Sequence, residues 1–261
     1  MPREARSQRL EAIVLKHAEF GEADRLVTLY TRERGKLRAL AKGVRKVRSR
    51  KAGHLEPFTR LSLLLAQGRS LHIISQAEAI ETHAALSENL EALGYASYVA
   101  ELADKFSREE DENRGLYRLL RATYQRLAGG ADPQLAVRFY EVRLLDLVGF
   151  RPELQRCLGC GKEIQAEDQY FSTPQGGVLC PTCGRKAEGA SPISVEALKY
   201  LRHFQRSDYA EAARARPSAR VQSELENTMN HYLTYLLERA LNSPRFLRRV
   251  RREMRSKPKG A

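Results

Sequence analysis

The sequence predicts an α+β protein of several parts: an N-terminal OB-fold β-barrel, then an α-helical domain with a four-cysteine zinc ribbon inserted in it. Three observations predict it. The first 80 residues hold about five short stretches of strand character. From residue 84 the apolar spacing turns helical. Two Cys-x2-Cys pairs, Cys157/Cys160 and Cys180/Cys183, then break into the helical part.

The strands read in order. "EAIVLKHA" (11–18) is a short apolar run, and "RLVTLYT" (25–31) is rich in β-branched and aromatic residues. "RERG" (32–35) is a hairpin connection, with Gly35 able to take positive φ, before "KLRALAK" (36–42). A long basic connection follows, then "FTRLSLLLAQ" (58–67) and "SLHIISQAEA" (70–79), joined at Gly68-Arg69. Five short strands suit a small closed barrel, of which the OB-fold is the common nucleic-acid-binding form; a small SH3-like barrel is the alternative.

The helices follow. Leu90, Leu93, Ala96, Val99, Leu102, Ala103 and Phe106 recur at three- and four-residue steps. "RGLYRLLRATYQRLAGG" (114–130) is a second helix ended by Gly129-Gly130. "DPQLAVRFYEVRLLDLVGF" (132–150) is a third, with Asp132 as N-cap and Pro133 in the first turn. Past the cysteines come 194–206 and 219–241, where Val221, Leu225, Tyr232, Leu236 and Leu237 form a core stripe. The expected organisation is a barrel at 1–80, a helical domain at 81–155 and 190–245, a ribbon at 156–189 and a flexible basic tail at 246–261.

Charge is uneven. The formal net charge is +13, and residues 1–80 hold 17 Lys/Arg against 8 Asp/Glu, while 245–261 hold 8 against 1. A polyanion, nucleic acid first, is the natural partner. No apolar run approaches the ~18 residues of a membrane helix, and the charged N-terminus has no apolar core of a secretory signal. A cytoplasmic, nucleoid-associated protein with no membrane partner is expected.

Cys157, Cys160, Cys180 and Cys183 are the four cysteines of the chain, with nineteen residues between the pairs. A Cys-x2-Cys turn sets two thiolates on one edge of a metal tetrahedron, and two such turns complete the shell of one structural Zn2+ with no position left for water. Gly161 and Gly184 after each pair let the chain curl around the sulfurs. Arg156, Lys162, Arg185 and Lys186 offset the negative charge of a tetrathiolate site.

Residues 32–51 hold ten Lys/Arg and one acid, Glu33. Arg34, Lys36, Arg38, Lys42, Arg45, Lys46, Arg48, Arg50 and Lys51 are the candidate DNA-binding residues, acting by phosphate neutralisation without reading sequence. Residues 1–80 contain only Phe20, Tyr30 and Phe58 as aromatics, so backbone contacts should dominate over base stacking. The run Glu109–Glu112 reads as a solvated loop. The cations at 245–257 are a second candidate element. No P-loop, nucleophile elbow, metalloprotease or dinucleotide motif is present, so no catalytic residue and no small-molecule substrate are expected. An RNA-binding or ribosome-associated factor is the alternative to a DNA-binding one.

"AIVLKHAEFGEADRLVTLYTRERGKLRALAKGVRKVRSR" (12–50) resembles the N-terminal domain of the bacterial recombination mediator family RecO. The resemblance is carried by Gly21, Glu22, Asp24, Arg25, Leu26 and Val27, by Thr31, Gly35 and Lys36, and by Ala39, Ala41, Lys42, Gly43, Arg45 and Ser49. It continues through 55–78 and through "YEVRLLDLVGFRPELQRCLGCG" (140–161). The resemblance implies an OB barrel, a helical domain and a zinc ribbon. It implies a non-enzymatic activity: binding single- and double-stranded DNA, annealing complementary strands, and helping load recombinase onto single strands coated by single-strand-binding protein. Implied partners are RecR, the recombinase RecA and the acidic C-terminal tail of single-strand-binding protein. Some members of the family lack the cysteines, which implies that zinc serves structure here.

Overall fold

The computed structural model describes residues 7–238 and 241–256. It has two compact units: residues up to Ala131 together with those from Asn242, and Asp132–Leu241.

The first unit is built on a closed barrel of strand order β1-β2-β3-β5-β4, formed by β1 (Ser7–Phe20), β2 (Asp24–Thr31), β3 (Gly35–Ala41), β4 (Arg60–Ala66) and β5 (His72–Glu81). The long β1 serves two neighbours: Ser7–Ile13 pairs with β4 and Ala12–Phe20 with β2, a register shift between Val14 and Lys16 bending the strand from one to the other. β3 meets β5 in parallel at Ala39–His72 and Leu40–Ile73, which closes the barrel. The alternation in "GKLRALA" is realised directly: Leu37, Ala39 and Ala41 are buried, Arg38 exposed. They join Leu10, Val14, Val27, Leu29, Leu61, Leu63, Leu65 and Ile74 in the barrel core. Gly35 takes φ +64 in the β2–β3 turn, as expected, and a Cβ there would stand 1.8 Å from the Asp111 carbonyl oxygen.

Helices α1 (Ala84–Glu88), α2 (Leu90–Phe106) and α3 (Arg114–Ala128) pack in the same unit. The expected repeat from Leu90 to Phe106 is α2, and Asn89 separates it from the short α1 and caps the amides of Glu91 and Ala92 with its side chain. Residues expected as a flexible tail form a helix, Ser243–Ser256, which packs on α2; residues 257–261 lie outside the described part. The reason is apolar: Leu247 and Val250 are buried, and Gly94 leaves room for Leu247, which would lie 2.7 Å from a Cβ at that position. The Glu101 carboxylate accepts the amides of Asn242 and Ser243, capping this helix from outside.

The second unit starts with α4 (Pro133–Leu147), capped by Asp132 as its sequence indicates. The ribbon follows: β6 (Gln169–Ser172), β7 (Gly177–Leu179), the one-turn helix α5 (Pro181–Gly184) and β8 (Ala190–Ile193), with sheet order β7-β6-β8. α6 (Val195–Arg206), the short α7 (Tyr209–Ala212) and α8 (Ala219–Leu237) complete it, and the Ser243–Ser256 helix of the first unit is α9. The buried stripe of α8 runs Val221, Leu225, Met229, Tyr232 and Leu233; Leu236 and Leu237 are only half-buried. Tyr232 fastens the ribbon, meeting Phe171 edge-on at 5.4 Å and donating its hydroxyl to the Phe150 carbonyl. Of the helices, α1–α3 group with the barrel by contact, while α4, α6 and α8 pack on one another. No helix among the described residues is long and apolar enough to cross a membrane.

Candidate nucleic-acid interface and metal centre

The basic connection between β3 and β4 is anchored at both ends. The Gly43 amide donates to Asp24 Oδ1 at 2.7 Å, and the Arg45 amide donates to the Ala23 carbonyl at 2.9 Å. The Arg45 guanidinium bridges to Glu19 at 3.1 Å and to the Glu22 carbonyl at 3.3 Å. Val44 and Leu55 insert into the barrel core. Lys51 turns inward and donates to the Ile74 carbonyl at 3.0 Å, and its partial burial pulls its pKa down. Between these anchors Lys46, Val47, Arg48 and Arg50 stand in solvent, with Lys42 just before them. Lys42, Lys46, Arg48 and Arg50 meet no acidic side chain among the described residues. The loop is therefore a braced turn that presents four unneutralised cations.

The other candidates are neutralised. Arg34 pairs with Glu110 at 2.9 Å, Arg38 with Glu109 at 2.5 Å, and Lys36 with Asp104 at 3.3 Å. Lys16 reaches the same Asp104 at 2.6 Å. The acidic run expected to be a solvated loop lies on the edge of β3, where the Glu110 amide donates to the Lys36 carbonyl at 2.8 Å. Paired groups of this kind hold little net energy at an exposed surface, but they remove formal charge from the face a phosphate would meet. Of the α9 cations with described side chains, Arg249 lies over the Phe246 ring at 5.9 Å and Arg251 over the Tyr95 ring at 5.8 Å. The side chains of Arg245, Arg248, Arg252 and Arg255, and all of Lys257, lie outside the described part.

The four cysteines converge as the spacing requires. Their sulfurs all lie within 4.8 Å of one another, and no disulfide joins them. A tetrahedron with metal–sulfur bonds of about 2.3 Å has sulfur–sulfur edges of about 3.8 Å, and Cys160 and Cys180 stand 3.9 Å apart. Cys157 heads a turn in which the Gly161 amide bonds back to the Cys157 carbonyl, with Gly161 at φ +72. Cys180 opens α5, and the Gly184 amide bonds back to its carbonyl. Burial opposes ionisation of Cys157, but amide donors from Cys180, Cys160 and Gly159 outweigh it and bring the thiol down to about 6. Hydrogen bonding to Cys180 and the other neighbouring sulfurs pushes the Cys183 thiol up to about 12. Donor set and geometry fit one metal ion. Two glycines support the site by shape: a Cβ on Gly159 would lie 2.9 Å from Cys183 Cβ, and one on Gly184 would lie 2.3 Å from the Tyr170 ring. Gly159 was not singled out by sequence, because its requirement arises from a residue two dozen positions away.

Comparison with known proteins covers nearly the whole chain. Residues 6–83 match the family model "Recombination protein O N terminal", and residues 87–245 match "Recombination protein O C terminal". A DNA repair protein RecO from Roseiflexus is 40% identical over 96% of this chain and 88% of its own length. One from Pelotomaculum thermopropionicum is 40% identical over 92% and 93%, and one from Bifidobacterium adolescentis is 38% identical over 91% and 97%.

Proposed function

The chain belongs to the RecO family of DNA repair and recombination proteins, and on that premise we propose that it binds single- and double-stranded DNA and anneals complementary strands without consuming nucleotide. The observation that carries this reading is the braced loop with Lys42, Lys46, Arg48 and Arg50 unneutralised in solvent. Two polyanions resist pairing by mutual repulsion, and a surface that neutralises phosphates lowers that barrier with no chemical fuel. No catalytic group is needed, and we assign the protein no enzymatic activity.

The same reading places the protein as a mediator that helps load the recombinase RecA onto single strands coated by single-strand-binding protein. RecR and the acidic C-terminal tail of single-strand-binding protein are its further partners in this scheme, and the cytoplasmic nucleoid is its location. The metal is zinc, one per chain, held by Cys157, Cys160, Cys180 and Cys183. When bound it supplies a closed tetrathiolate cross-link and no open position for chemistry.

The test is annealing of complementary oligonucleotides in nucleotide-free, magnesium-free buffer, with DNA and RNA of equal length in competition. Accelerated annealing and DNA binding that falls steeply with salt support the reading. Strand cleavage on adding magnesium, or strong preference for RNA, would overturn it.

A further inference from the structure

The outer face of β1, β2 and β3 carries an apolar shelf that the mode of phosphate binding does not use. Register places its members. Ala18 pairs with Leu26, and Leu26 with Leu40, making one cross-strand row on the outside of the barrel. Phe20 lies two residues beyond Ala18 on the same face of β1. Leu26 and Leu40 are half-buried, Ala18 is exposed and Phe20 is 48% exposed. Beside the shelf a cavity of about 330 Å³ opens, whose lining includes Ala18, Leu26, Thr28 and the paired groups Lys16, Asp104, Arg38 and Glu109.

Phe20 leads into a braced turn. Its turn is stapled to the base of the cationic loop, since Arg45 contacts Glu19, Glu22 and Ala23 around it. Tyr30 and Phe58, the other aromatics of the first 80 residues, are buried. Phe20 takes part in no ring pair among the described residues. Gly21, at φ +59, lets the chain turn directly after Phe20.

We propose that this shelf binds unpaired bases of single-stranded DNA, with Phe20 as the stacking platform and Leu26 and Leu40 as its floor. A barrel face with one exposed aromatic beside a cationic loop matches how sheet surfaces hold single strands: phosphates follow the charge, and a base lies on the ring. The phosphates run past Lys42, Lys46 and Arg48. Bases in a duplex are stacked and paired and cannot reach the ring, so the shelf discriminates single from double strands where the loop alone does not.

The inference rests on the DNA-binding reading above, and the experiment separates the two. Affinities of wild-type and Phe20→Ala protein are measured over a salt series for an oligothymidylate and for a duplex of equal length. Phe20→Ala should weaken single-strand binding by about tenfold, in the range for loss of one stacked base, and duplex binding by less than about twofold, with an unchanged salt slope because no phosphate contact is lost. The chain contains no tryptophan. Phe20→Trp therefore introduces a single reporter, which should retain single-strand affinity and be quenched by the oligothymidylate and not by the duplex. Unchanged single-strand affinity in Phe20→Ala, equal losses on both DNAs, or an unquenched indole would overturn the shelf and leave loop binding standing. Wild-type protein that binds neither DNA overturns both.

Discussion

Glu109 reaches across the outer edge of β3 to Arg38, closing an ion pair at 2.5 Å. Next to it Glu110 holds Arg34 at 2.9 Å and His72 at 3.2 Å. These two carboxylates sit where phosphates would otherwise meet the guanidinium groups of Arg34 and Arg38. DNA binding on this edge must exchange one set of anions for another. Replacing both by glutamine keeps shape and hydrogen-bonding capacity while removing the charge. Glu109→Gln with Glu110→Gln should tighten DNA binding at low salt by about tenfold and steepen the salt dependence by roughly one to two phosphate equivalents. An unchanged slope in a titration from 50 to 200 mM salt, concentrations taken from ordinary practice with DNA-binding proteins, would mean that Arg34 and Arg38 never reach phosphate.

The loop cations make the converse prediction. Lys42, Lys46, Arg48 and Arg50 have no ion pair to lose among the described residues, so replacing all four by alanine removes charge without unpairing a carboxylate. The slope of log K against log salt on duplex DNA should flatten by about 3 to 4, at roughly 0.9 per lost phosphate contact. Arg45 is a different case. Its guanidinium ties Glu19 and Glu22 to the loop, so Arg45→Ala should perturb the Phe20 turn as well as charge. Its single-strand defect should exceed what its one charge accounts for.

Local pattern made the barrel readable. Alternation in "KLRALAK" and "FTRLSLLLAQ" reports which side chains face inward, and pairing follows from the short turns. The Cys-x2-Cys pairs were legible for the same reason: each half of the metal site is local. Contacts between distant parts were not. The Arg38–Glu109 and Lys36–Asp104 pairs join residues about seventy positions apart, and nothing near either partner signals the other. The packing partners of the helices were equally hidden, since an apolar stripe shows that a helix is covered and not by what. The α9 helix was masked by composition, where arginine outnumbers the Leu247 and Val250 that dock it. Exposure of Phe20 was invisible because it depends on which face of β1 turns outward after the register shift between Val14 and Lys16.

Asp104 links charge to stability in the barrel unit. Burial alone would raise its carboxyl, but the hydrogen bond and charge of Lys16, with Lys36 beside it, outweigh burial and hold it below the ordinary carboxylate value. A group depressed on folding stabilises the fold above its unfolded value of about 4. That contribution is lost as pH falls through the lower folded value. Asp104→Asn should destabilise the barrel unit by about 1–2 kcal/mol at neutral pH. The difference from wild type should shrink as pH is lowered from 7 toward 3, values bracketing the carboxylate range. Thermal melts of both proteins across that window measure it, and a pH-independent difference would show that packing, and not the lysine pairs, accounts for the loss.

The metal centre makes the last prediction, and Gly159 sharpens it. Cys160→Ser removes one of four ligands and should abolish stoichiometric zinc, measured by elemental analysis, which should give about one zinc per chain in the wild type. Gly159→Ala removes no ligand. Its added methyl would meet Cys183 Cβ at 2.9 Å and Sγ at 3.0 Å, so either the Cys157–Cys160 turn or α5 must move. Zinc affinity should fall by roughly tenfold or more, as when the support of a ligand is disturbed. Because the site closes a loop between α4 and α6, both variants should lower the melting temperature of the ribbon unit. Neither should change the salt slope of DNA binding, whose cations lie on the barrel loop. If stripping the metal instead flattened that slope, the ribbon itself would carry phosphate contacts, with Arg156, Lys162, Arg185 and Lys186 the residues to replace next.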